Sequence, residues 1–450
     1  MESIWAAETK IRRRESLPGD GETEAVIIGA GLTGILAAYY LKQAGLQAVV
    51  LEADRIGSGQ TGNTTAKITS QHGLVYHRLI RVFGREMAAH YAMANENAIE
   101  EYERLVREKG IACDFTRDFA CLYSQREESI LQQEAEAAES LGIGASFQRE
   151  SGLPFPVAGV TRFERQARFH PLKFLAAMAE EVTVYEQTKA LRVEGQKVET
   201  EKGCVRAEHI IFACHFPFIN VPGYYFARMY QERSYVAAWE GTGQREGMYL
   251  GIEPGALSFR PQGKLLFLGG GGHRTGKNSQ GGQYEGLRHK AGMVYPDGRE
   301  IAHWSAQDCM TLDGIPYIGR FSAKRPGWYV ATGFGKWGMT SAMVSAQILT
   351  ALATGRECPE KDIFSPRRRF TAGAAKKLAC HGGHTAKGLA KHFLPSGEGD
   401  IIPNCPHMGC RLEWNPEEES YDCPCHGSRF GRKGQLVDGP AQTGCRRKNE

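Results

Sequence analysis

Four cysteines and two histidines lie between positions 405 and 426 of this 450-residue chain. Cys405-x-His407 and Cys423-x-x-His426 each supply one thiol and one imidazole, and fifteen residues separate the two pairs. Two thiolates can hold one iron of a two-iron cluster while two imidazoles hold the other. The same four side chains also suit a tetrahedral zinc ion. The spacing therefore predicts a metal centre with these four residues as its ligands.

The residues around these ligands favour the iron–sulfur alternative. The stretches "CPHMGC" and "CPCHGS" resemble the two cluster-binding boxes of Rieske [2Fe–2S] proteins, and Gly439-Pro440 resembles the proline-containing segment that closes over such a cluster. The resemblance implies a disulfide between Cys410 and Cys425, as in Rieske proteins of the cytochrome bc type. Ser428 is in place to hydrogen-bond a cluster sulfur, whereas Phe430 stands where high-potential relatives carry a tyrosine. Because hydrogen bonds to cluster sulfurs raise the reduction potential, we expect a potential in the middle or lower part of the Rieske range.

A second group of chemistry-bearing residues opens the chain. The stretch "EAVIIGAGLTGILAAYYLKQAGLQAVVLE" is typical of a strand, a glycine turn, a helix and a second strand. Gly29 permits the tight turn, Gly31 lets the backbone approach a pyrophosphate, and Gly34 lets the helix pack on the sheet. The phosphates would lie at the helix N-terminus, and Glu52 would accept hydrogen bonds from a ribose. These residues predict a dinucleotide site.

The segments that follow indicate which dinucleotide is bound. A polar loop follows the second strand, and then come long helical stretches, "HIIFAC", "TLDGIPYIGR" and "GWYVATGFGKWGMTSAMVSAQIL". Together they resemble the FAD-dependent oxidoreductases of the D-amino-acid-oxidase and glycine-oxidase type. The resemblance implies an α/β fold (α+β overall), in which a Rossmann-like FAD-binding domain carries an inserted antiparallel-sheet substrate domain. A small all-β Rieske domain would follow at the C-terminus.

The domain boundaries follow from these segments. The oxidoreductase is predicted over residues 22–365, and its parts divide between two domains. The FAD-binding segments are about 22–75, 160–215 and 300–365, and the substrate segments are about 76–159 and 216–299. Residues 366–396, basic and rich in Gly and Ala, are predicted to be a linker with one short helix, and His381 and His384 to be flexible side chains within it. A short Rieske domain is predicted over 397–450.

The residues expected to contact FAD belong to the two glycine-rich turns, the end of the second strand, the polar loop, and the "HIIFAC" and "TLDGIPYIGR" segments. They are Gly29, Gly31, Gly34, Glu52, Arg55, Thr64, Thr65, Lys67, Ala213, Asp313, Gly333, Gly335 and Gly338. Gln71 and His72 are expected nearest the reactive side of the flavin, and His215 and His273 are further candidate acid–base groups. Loop polarity or a structural role is the alternative for each of these side chains.

One departure from the oxidase pattern bears on the substrate. Amino-acid-oxidising relatives carry an arginine three residues before the threonine of T-x-D-x-x-P, where it clamps the substrate carboxylate. This chain has Asp308 at that position, so a bidentate arginine clamp cannot form there. The reversed charge favours an amine or another cationic or neutral substrate. Asp308 could instead pair with a nearby cation for structural reasons.

Composition excludes several other classes of protein. The formal net charge of +4 and short basic runs argue against nucleic-acid binding. The first residues have no apolar core of a signal peptide, and no stretch is apolar enough to span a membrane, so we expect a cytoplasmic location. The sequence thus predicts a dehydrogenase that passes electrons from a small-molecule substrate through FAD and the cluster to an external one-electron acceptor, or in the reverse direction. The alternatives are an oxygen-using oxidase with a structural or redox-sensing cluster, and a redox sensor without turnover.

Overall fold

The computed structural model describes residues 2–243, 246–391 and 401–446. The strands are β1 (Gly21–Ile28), β2 (Ala48–Leu51), β3 (Lys67–Ile68), β4 (Thr116–Ser124), β5 (Ala145–Gln148), β6 (Gly159–Arg168), β7 (Thr183–Tyr185), β8 (Ala190–Glu194), β9 (Lys197–Thr200), β10 (Gly203–Phe212), β11 (Met229–Glu240), β12 (Met248–Gly251), β13 (Ser258–Gln262), β14 (Leu265–Arg274), β15 (Arg299–Thr311), β16 (Tyr317–Ser322), β17 (Arg325–Thr332), β18 (Glu413–Asn415), β19 (Ser420–Asp422), β20 (Arg429–Gly431) and β21 (Leu436–Asp438). The helices are α1 (Ile4–Glu8), α2 (Leu32–Gln43), α3 (Tyr76–Phe83), α4 (Arg85–Lys109), α5 (Glu128–Ser140), α6 (Pro171–Ala179), α7 (Tyr225–Arg228), α8 (Gln283–Val294), α9 (Gly338–Ala353), α10 (Lys361–Phe364) and α11 (Ala372–Ala390), and a 3-10 turn covers Gln60–Asn63.

The first sheet is built around parallel strands. β1 lies between β2 and β10, and β17 lies beside β10 in the same direction. Residues 25–28 of β1 are all buried, as expected of a parallel strand covered on both faces. β7, β8, β9 and β16 complete this eight-stranded sheet. The helices α2 and α9 pack together against it, so the ends of β1, β2 and β10 converge on the glycine turn.

The second sheet has nine strands in the order β15-β11-β14-β13-β12-β4-β6-β3, and β5 pairs with β6. Its longest pairing is between β11 and β15, which run antiparallel from Met229 opposite Thr311 to Glu240 opposite Arg299. All of the pairings in this sheet except that of β12 with β4 are antiparallel among the described strands. This sheet faces the glycine turn across a cavity. It combines strands of the predicted substrate segments (β4, β5 and β11 to β14) with β3, β6 and β15, which fall largely in the predicted FAD-binding segments.

Residues 401–446, the C-terminal module, form a four-stranded antiparallel sheet in the order β18-β19-β20-β21. Its small core contains Ile401, Leu412 and Phe430 together with buried cysteines. The predicted fold class is confirmed: two mixed α/β layers followed by a small all-β module. The predicted Rieske domain, residues 397–450, also includes residues 397–400 and 447–450, which lie outside the described part of the chain.

The connecting segment differs from its prediction. The expected short helix is the nineteen-residue α11, and the Oγ1 of Thr371 caps it by accepting from the N–H of Ala374. His381 is not a flexible side chain, since it is only 3% exposed and its Nε2 contacts the carbonyl of Phe226 at 3.0 Å. The alanine-rich composition stabilises the helix, and packing against both neighbours fixes it. Residues 392–396 of the predicted linker lie outside the described part of the chain. Within the described ranges, no helix is both long and apolar enough to cross a membrane.

Candidate functional site

The glycine turn after β1 has the close approaches that its fingerprint predicts. A Cβ added at Gly34 would lie 1.9 Å from the carbonyl oxygen of Gly29, so only glycine lets α2 pack this closely. Gly29 has a φ of +109°, and a Cβ there would lie 2.6 Å from the carbonyl oxygen of Ala213. The turn therefore leaves a backbone cradle of the kind that a dinucleotide pyrophosphate requires.

Glu52 follows β2 beside this cradle. Its Oε2 accepts from the N–H of Ala30 at 2.7 Å and its Oε1 from the N–H of Asp54 at 2.9 Å. Burial raises the pKa of the Glu52 carboxyl, and the two backbone donors oppose that effect. The carboxylate also lines the cavity, so it can accept from a ribose hydroxyl as the fingerprint predicts.

A cavity of about 1320 Å³ lies between the two sheets and the C-terminal module. Twelve of the residues predicted from the sequence line it: Gly29, Gly31, Glu52, Thr64, Thr65, Lys67, Ala213, His215, Asp308, Gly333, Gly335 and Gly338. The polar loop, the end of β10 and the N-terminus of α9 thus converge on one space. Their specific roles stay predictions, but these residues fit an elongated dinucleotide cofactor.

Within the described part of the chain, six of the predicted residues do not line the cavity. They are Gly34, Arg55, Gln71, His72, His273 and Asp313. Gly34 serves the packing of α2. Arg55 pairs with Glu186 at 2.5 Å, and Asp313 pairs with Arg368 at 2.6 Å. Since both charges are satisfied within the protein, the geometry gives these two side chains a structural role.

The two histidines outside the cavity wall are also held by protein groups. His72 contacts the hydroxyl of Tyr91 through Nδ1 at 2.6 Å and the carbonyl of Thr69 through Nε2 at 2.7 Å. Burial lowers the pKa of His72 to about 3, so its ring is neutral at ordinary pH. The Nδ1 of His273 contacts the carbonyl of Gly271 at 3.1 Å. The geometry therefore does not favour an acid–base role for His72. The Nε2 atoms of Gln71 and His273 are buried without a hydrogen-bond partner among the described residues, so the roles of these two side chains stay predictions.

Lys67 is one of the cations of the cavity wall. Its Nζ donates to the Oγ of Ser258 at 2.6 Å and to the carbonyl of Tyr249 at 3.1 Å. Burial lowers the pKa of Lys67 to about 7, and the nearby charge of Arg260 acts in the same direction. An amine that titrates near neutrality beside a cofactor cavity is a candidate functional group.

Asp308 lies on β15 directly opposite Glu232 of β11. Lys336 reaches Glu232 at 3.3 Å, so one of the two carboxylates has a cationic partner. Burial raises the pKa of Asp308, and the charges of Lys336 and His215 oppose that effect. The wall of the cavity therefore presents the carboxylate of Asp308, with the ammonium group of Lys336 near it, where an amino-acid oxidase would present its arginine.

The four predicted metal ligands converge in the C-terminal module. The thiols of Cys405 and Cys423 lie within hydrogen-bonding range of each other. Nε2 of His407 contacts Oδ1 of Asn220 at 2.8 Å, which makes Nε2 the protonated nitrogen. Nδ1 of His407 and both ring nitrogens of His426 are buried without a hydrogen-bond partner among the described residues. Buried polar atoms without partners are rare, and one such nitrogen from each ring is available to a two-iron cluster.

A disulfide joins Cys410 to Cys425, as the resemblance implies. The sulfur of Cys423 lies within 4.8 Å of both of these sulfurs, so the disulfide ties the two ligand loops together beside the metal centre. Because Cys410 and Cys425 are bonded to each other, neither can supply a thiolate. Gly388 of α11 packs against this bridge, and a Cβ there would lie 2.7 Å from the sulfur of Cys425.

Two family models match the chain: residues 24–352 match FAD dependent oxidoreductases, and residues 401–447 match the Rieske [2Fe-2S] domain. The chain belongs to the FAD dependent oxidoreductase family. Its cofactors are accordingly FAD and, in a C-terminal Rieske domain, a [2Fe–2S] cluster. The oxidoreductase domain comprises the two large sheets with their helices, and the Rieske domain is the C-terminal module.

One relative matches this chain over nearly its full length, and others match it in a short stretch only. YhfW of Bacillus subtilis (strain 168), a protein named for a Rieske 2Fe-2S centre, is 35% identical over 488 aligned positions, which cover 98% of this chain and 96% of YhfW. Iron-sulfur subunit 3 of the cytochrome b6-f complex from Nostoc sp. (strain PCC 7120) is 49% identical over 41 residues, which cover 9% of this chain and 23% of that subunit. The second similarity lies within the Rieske domain alone.

Solved structures resemble the oxidoreductase domain in fold. Glycine oxidase from Geobacillus kaustophilus has a TM-score of 0.63 at 18% identity and covers 77% of this chain and 99% of its own. L-proline dehydrogenase from P. horikoshii has a TM-score of 0.65 at 18% identity and covers 78% of this chain and 98% of its own. The oxidoreductase is thus of the amino-acid-oxidase type in its fold.

Sequence reasoning missed how the Rieske domain meets the oxidoreductase domain. The tip of the β18–β19 hairpin carries Glu417, whose two carboxylate oxygens accept from the N–H groups of Gln283 and Tyr284 at the start of α8. Arg274 donates to the carbonyls of Pro424 and Cys425 at 3.0 and 3.1 Å. The acidic run "PEEE" was the one sequence feature that indicated this contact, but the sequence could not show which cations and helix ends these carboxylates bind.

The Rieske domain also contributes directly to the FAD cavity. Its residues in the wall are Glu418, Arg429 and the segment 436–442, which contains Gly439-Pro440. Ser428 is fully buried, and its Oγ accepts from the N–H of Ala441 at 3.0 Å. The proline-containing segment thus closes one side of the cavity while it packs on the second ligand loop.

Proposed function

We propose that this oxidoreductase is a dehydrogenase that oxidises a small amine-like substrate and passes its electrons one at a time to an external acceptor by way of the Rieske domain. The observation that carries the proposal is the shared cavity. Glu52 of the dinucleotide site and Asp438 and Pro440 of the Rieske domain line one continuous space. When bound there, FAD supplies a two-electron hydride acceptor, and the cluster supplies a one-electron carrier beside it.

Different protein groups have different roles around this cavity. Gly29 and Glu52 would hold the dinucleotide, and the Rieske segment 436–442 lines the same cavity. An oxidase that returns electrons to oxygen has no need of a cluster domain in this wall. The position of the Rieske domain therefore supports a relay over an oxygen-using oxidase.

The charges near Asp308 support a cationic substrate. A protonated amine placed against Asp308 would be attracted by its carboxylate, since opposite charges a few ångströms apart in a buried site attract strongly. A substrate carboxylate would be repelled there. The proposal therefore assigns Asp308 to the ammonium group of the substrate.

The relay can be tested by anaerobic rapid mixing with a panel of primary and secondary amines and α-amino acids. Flavin absorbance reports the first transfer, and freeze-quenched electron paramagnetic resonance reports reduction of the cluster. We expect an amine to bleach the flavin and the Rieske signal to follow. A bleached flavin with an unreduced cluster and rapid recovery in air would instead identify an oxidase, and an unbleached flavin throughout the panel would overturn the dehydrogenase assignment.

The substrate class has its own test. Asp308→Asn should lower kcat/KM for the reactive amine by raising its KM, and Asp297→Asn is the matched control because Asp297 is exposed. Equal kcat/KM values in the two variants would overturn the role of Asp308 and leave the relay intact.

A further inference from the structure

Two buried glutamines reach from the second sheet of the oxidoreductase domain into the Rieske domain. Gln231 of β11 and Gln307 of β15 are 1% and 0% exposed. Nε2 of Gln231 donates to the carbonyl of His426 at 2.8 Å and to that of Gly439 at 3.2 Å. Nε2 of Gln307 donates to the carbonyl of Gly427 at 2.9 Å and to the carboxylate of Asp438 at 3.2 Å. Both side chains therefore hold the same two loops of the Rieske domain.

The oxygen ends of these glutamines have different partners. Oε1 of Gln231 contacts Nε2 of His215 at 3.1 Å, and His215 lines the FAD cavity directly after the end of β10. Oε1 of Gln307 accepts from the hydroxyl of Thr275 at 3.2 Å. Gln231 thus connects a side chain of the cavity to a cluster-ligand residue, whereas Gln307 connects Thr275 to Asp438 and to the backbone of Gly427.

Both ends of the Gln231 connection are held in place. Gly427 has a φ of +83°, and a Cβ there would lie 2.6 Å from the Cβ of Gln231, so the ligand loop lies directly on this side chain. His215 has a φ of +64°, and its carbonyl accepts from the hydroxyl of Thr332 and the thiol of Cys309. A non-glycine residue keeps such a backbone conformation only where its surroundings fix it.

We propose that Gln231 is the bridge through which electrons pass between the FAD cavity and the Rieske cluster. The path runs from the ring of His215 through two hydrogen bonds and the amide of Gln231 to the backbone of His426, and then through covalent bonds to the ring that binds iron. Electron transfer is faster through covalent and hydrogen bonds than across an unbonded gap. This inference rests on the proposed relay.

In the proposed transfer, electrons pass from the reduced flavin to the cluster one at a time. In each event one electron leaves the reduced flavin and converts one ferric ion of the cluster to the ferrous state, and the accompanying flavin proton passes to solvent. The cluster then gives that electron to the external one-electron acceptor before the second event. No bond of His215 or Gln231 is formed or broken, so Gln231 is a positioning residue for the transfer.

The test compares Gln231→Met with Gln307→Met in the full-length holoprotein. Methionine keeps the length and volume of the side chain but removes all three of its hydrogen bonds. The flavin is reduced by a light pulse under anaerobic conditions, and the rate of cluster reduction is followed optically and by electron paramagnetic resonance. The cluster's midpoint potential and the hydrogen–deuterium exchange of residues 423–430 are measured in parallel, because a merely structural role would change these quantities.

We expect Gln231→Met to slow the flavin-to-cluster transfer by roughly ten- to a hundredfold, as removal of groups bonded to metal ligands commonly does. Gln307→Met should transfer at the wild-type rate while showing a similar increase in hydrogen exchange. If Gln231→Met fails to retain its cluster, His215→Asn breaks the bridge from the other end, since asparagine tolerates this backbone conformation and has a shorter side chain.

The outcomes separate this inference from the relay itself. Equal transfer rates in the two glutamine variants and in His215→Asn would overturn the bridge while the relay stands. The absence of any flavin-to-cluster transfer in the wild-type protein would overturn the relay. Slow transfer in Gln231→Met that is matched by Gln307→Met would assign both glutamines to domain docking, which would also overturn the bridge.

Discussion

Arg233 of the oxidoreductase domain and Glu418 of the Rieske domain form a buried ion pair, with 2.6 Å between Nη2 and Oε2. Their side chains are 2% and 9% exposed, and the hydroxyl of Ser305 donates to the same carboxylate oxygen at 2.8 Å. Arg429 approaches that oxygen at 3.0 Å from within the Rieske domain. One glutamate therefore neutralises a cation from each domain at the wall of the FAD cavity.

Glu418→Gln should destabilise the protein because it leaves two buried guanidinium groups without this carboxylate. Breaking a buried ion pair from one side costs about 3–5 kcal/mol, which would be measured as the loss in free energy of unfolding in urea. Glu419→Gln is the control, since Glu419 is 71% exposed and lies 3.8 Å from Arg432. It should change the free energy of unfolding by less than about 0.5 kcal/mol. Equal stabilities of the two variants would show that the ion pair does not hold the domains together.

Cys405→Ser should remove the cluster and leave the flavin. Replacing a thiolate ligand leaves one iron with an incomplete ligand set, so the Rieske electron paramagnetic resonance signal should vanish while the FAD absorbance stays. Cys445→Ser is the matched control, because Cys445 is a free, buried cysteine of the same module. It should keep both signals. A Rieske signal that survives Cys405→Ser would contradict the ligand assignment, and stoichiometric zinc in the wild-type protein would favour the zinc alternative.

The sequence predicted the parts of this site that depend on local geometry. Gly29 is required by its φ of +109°, and Gly34 by its contact with the carbonyl of Gly29 in the same turn. Cys405 and Cys423 lie in short loops, so spacing alone was informative for all four residues. The expected place of the loop residue His72 near the reactive side stays a prediction, because its position depends on Tyr91 and Thr69, and the first of these partners lies on a separate helix.

Contacts between domains could not be predicted in the same way. Gln231 is separated from His426 by 195 positions, and a glutamine in a β-strand carries no signal of its partner. His381 likewise looked like a linker residue, since the sequence does not show that Arg274 lies 2.7 Å from its Nδ1. Long-range pairing of this kind follows from the packing of the Rieske domain rather than from any motif.

The reduction potential of the cluster should respond in opposite directions to two substitutions. Ser428→Ala removes a hydroxyl from a fully buried position beside Cys405 and should lower the potential, because hydrogen bonds to the sulfurs stabilise the reduced cluster. Phe430→Tyr adds a hydroxyl in the same core and should raise it. Redox titration monitored by electron paramagnetic resonance measures both. A wild-type potential near the upper end of the Rieske range, about +300 mV, would contradict the effect assigned to Phe430.

Gly34→Ala should abolish FAD binding or folding. An added Cβ would lie 1.9 Å from the carbonyl oxygen of Gly29, so α2 would have to move away from β1 and distort the cradle. Gly383→Ala, in the exposed face of α11, meets no atom within 4 Å and should instead stabilise the protein by about 0.5–1 kcal/mol. Both effects are read from flavin content and thermal denaturation. Full flavin occupancy in Gly34→Ala would contradict the assignment of this turn to the dinucleotide.

The titration of the Lys67 amine leads us to expect a pH-dependent KM for the substrate. Burial lowers its pKa to about 7, so Lys67 is protonated below that pH and neutral above it. A protonated Lys67 would repel a cationic amine, and KM should therefore rise as the pH falls through about 7. Lys67→Met should remove this limb of the pH profile, whereas Lys67→Arg keeps the charge and should keep KM high at every pH. An unchanged limb in Lys67→Met would assign it to another group.

The same titration should affect stability with a defined sign. The folded-state pKa of Lys67, about 7, is below its ordinary value of 10.5, so the unfolded chain binds more protons between these two values. Stability then rises with pH across that window, and Lys67→Met should lose this rise. Urea unfolding of both proteins between pH 7 and pH 10 measures the difference in slope. Parallel stability curves would mean that Lys67 keeps its charge in the folded protein, and the KM limb would then require a different titrating group in the cavity.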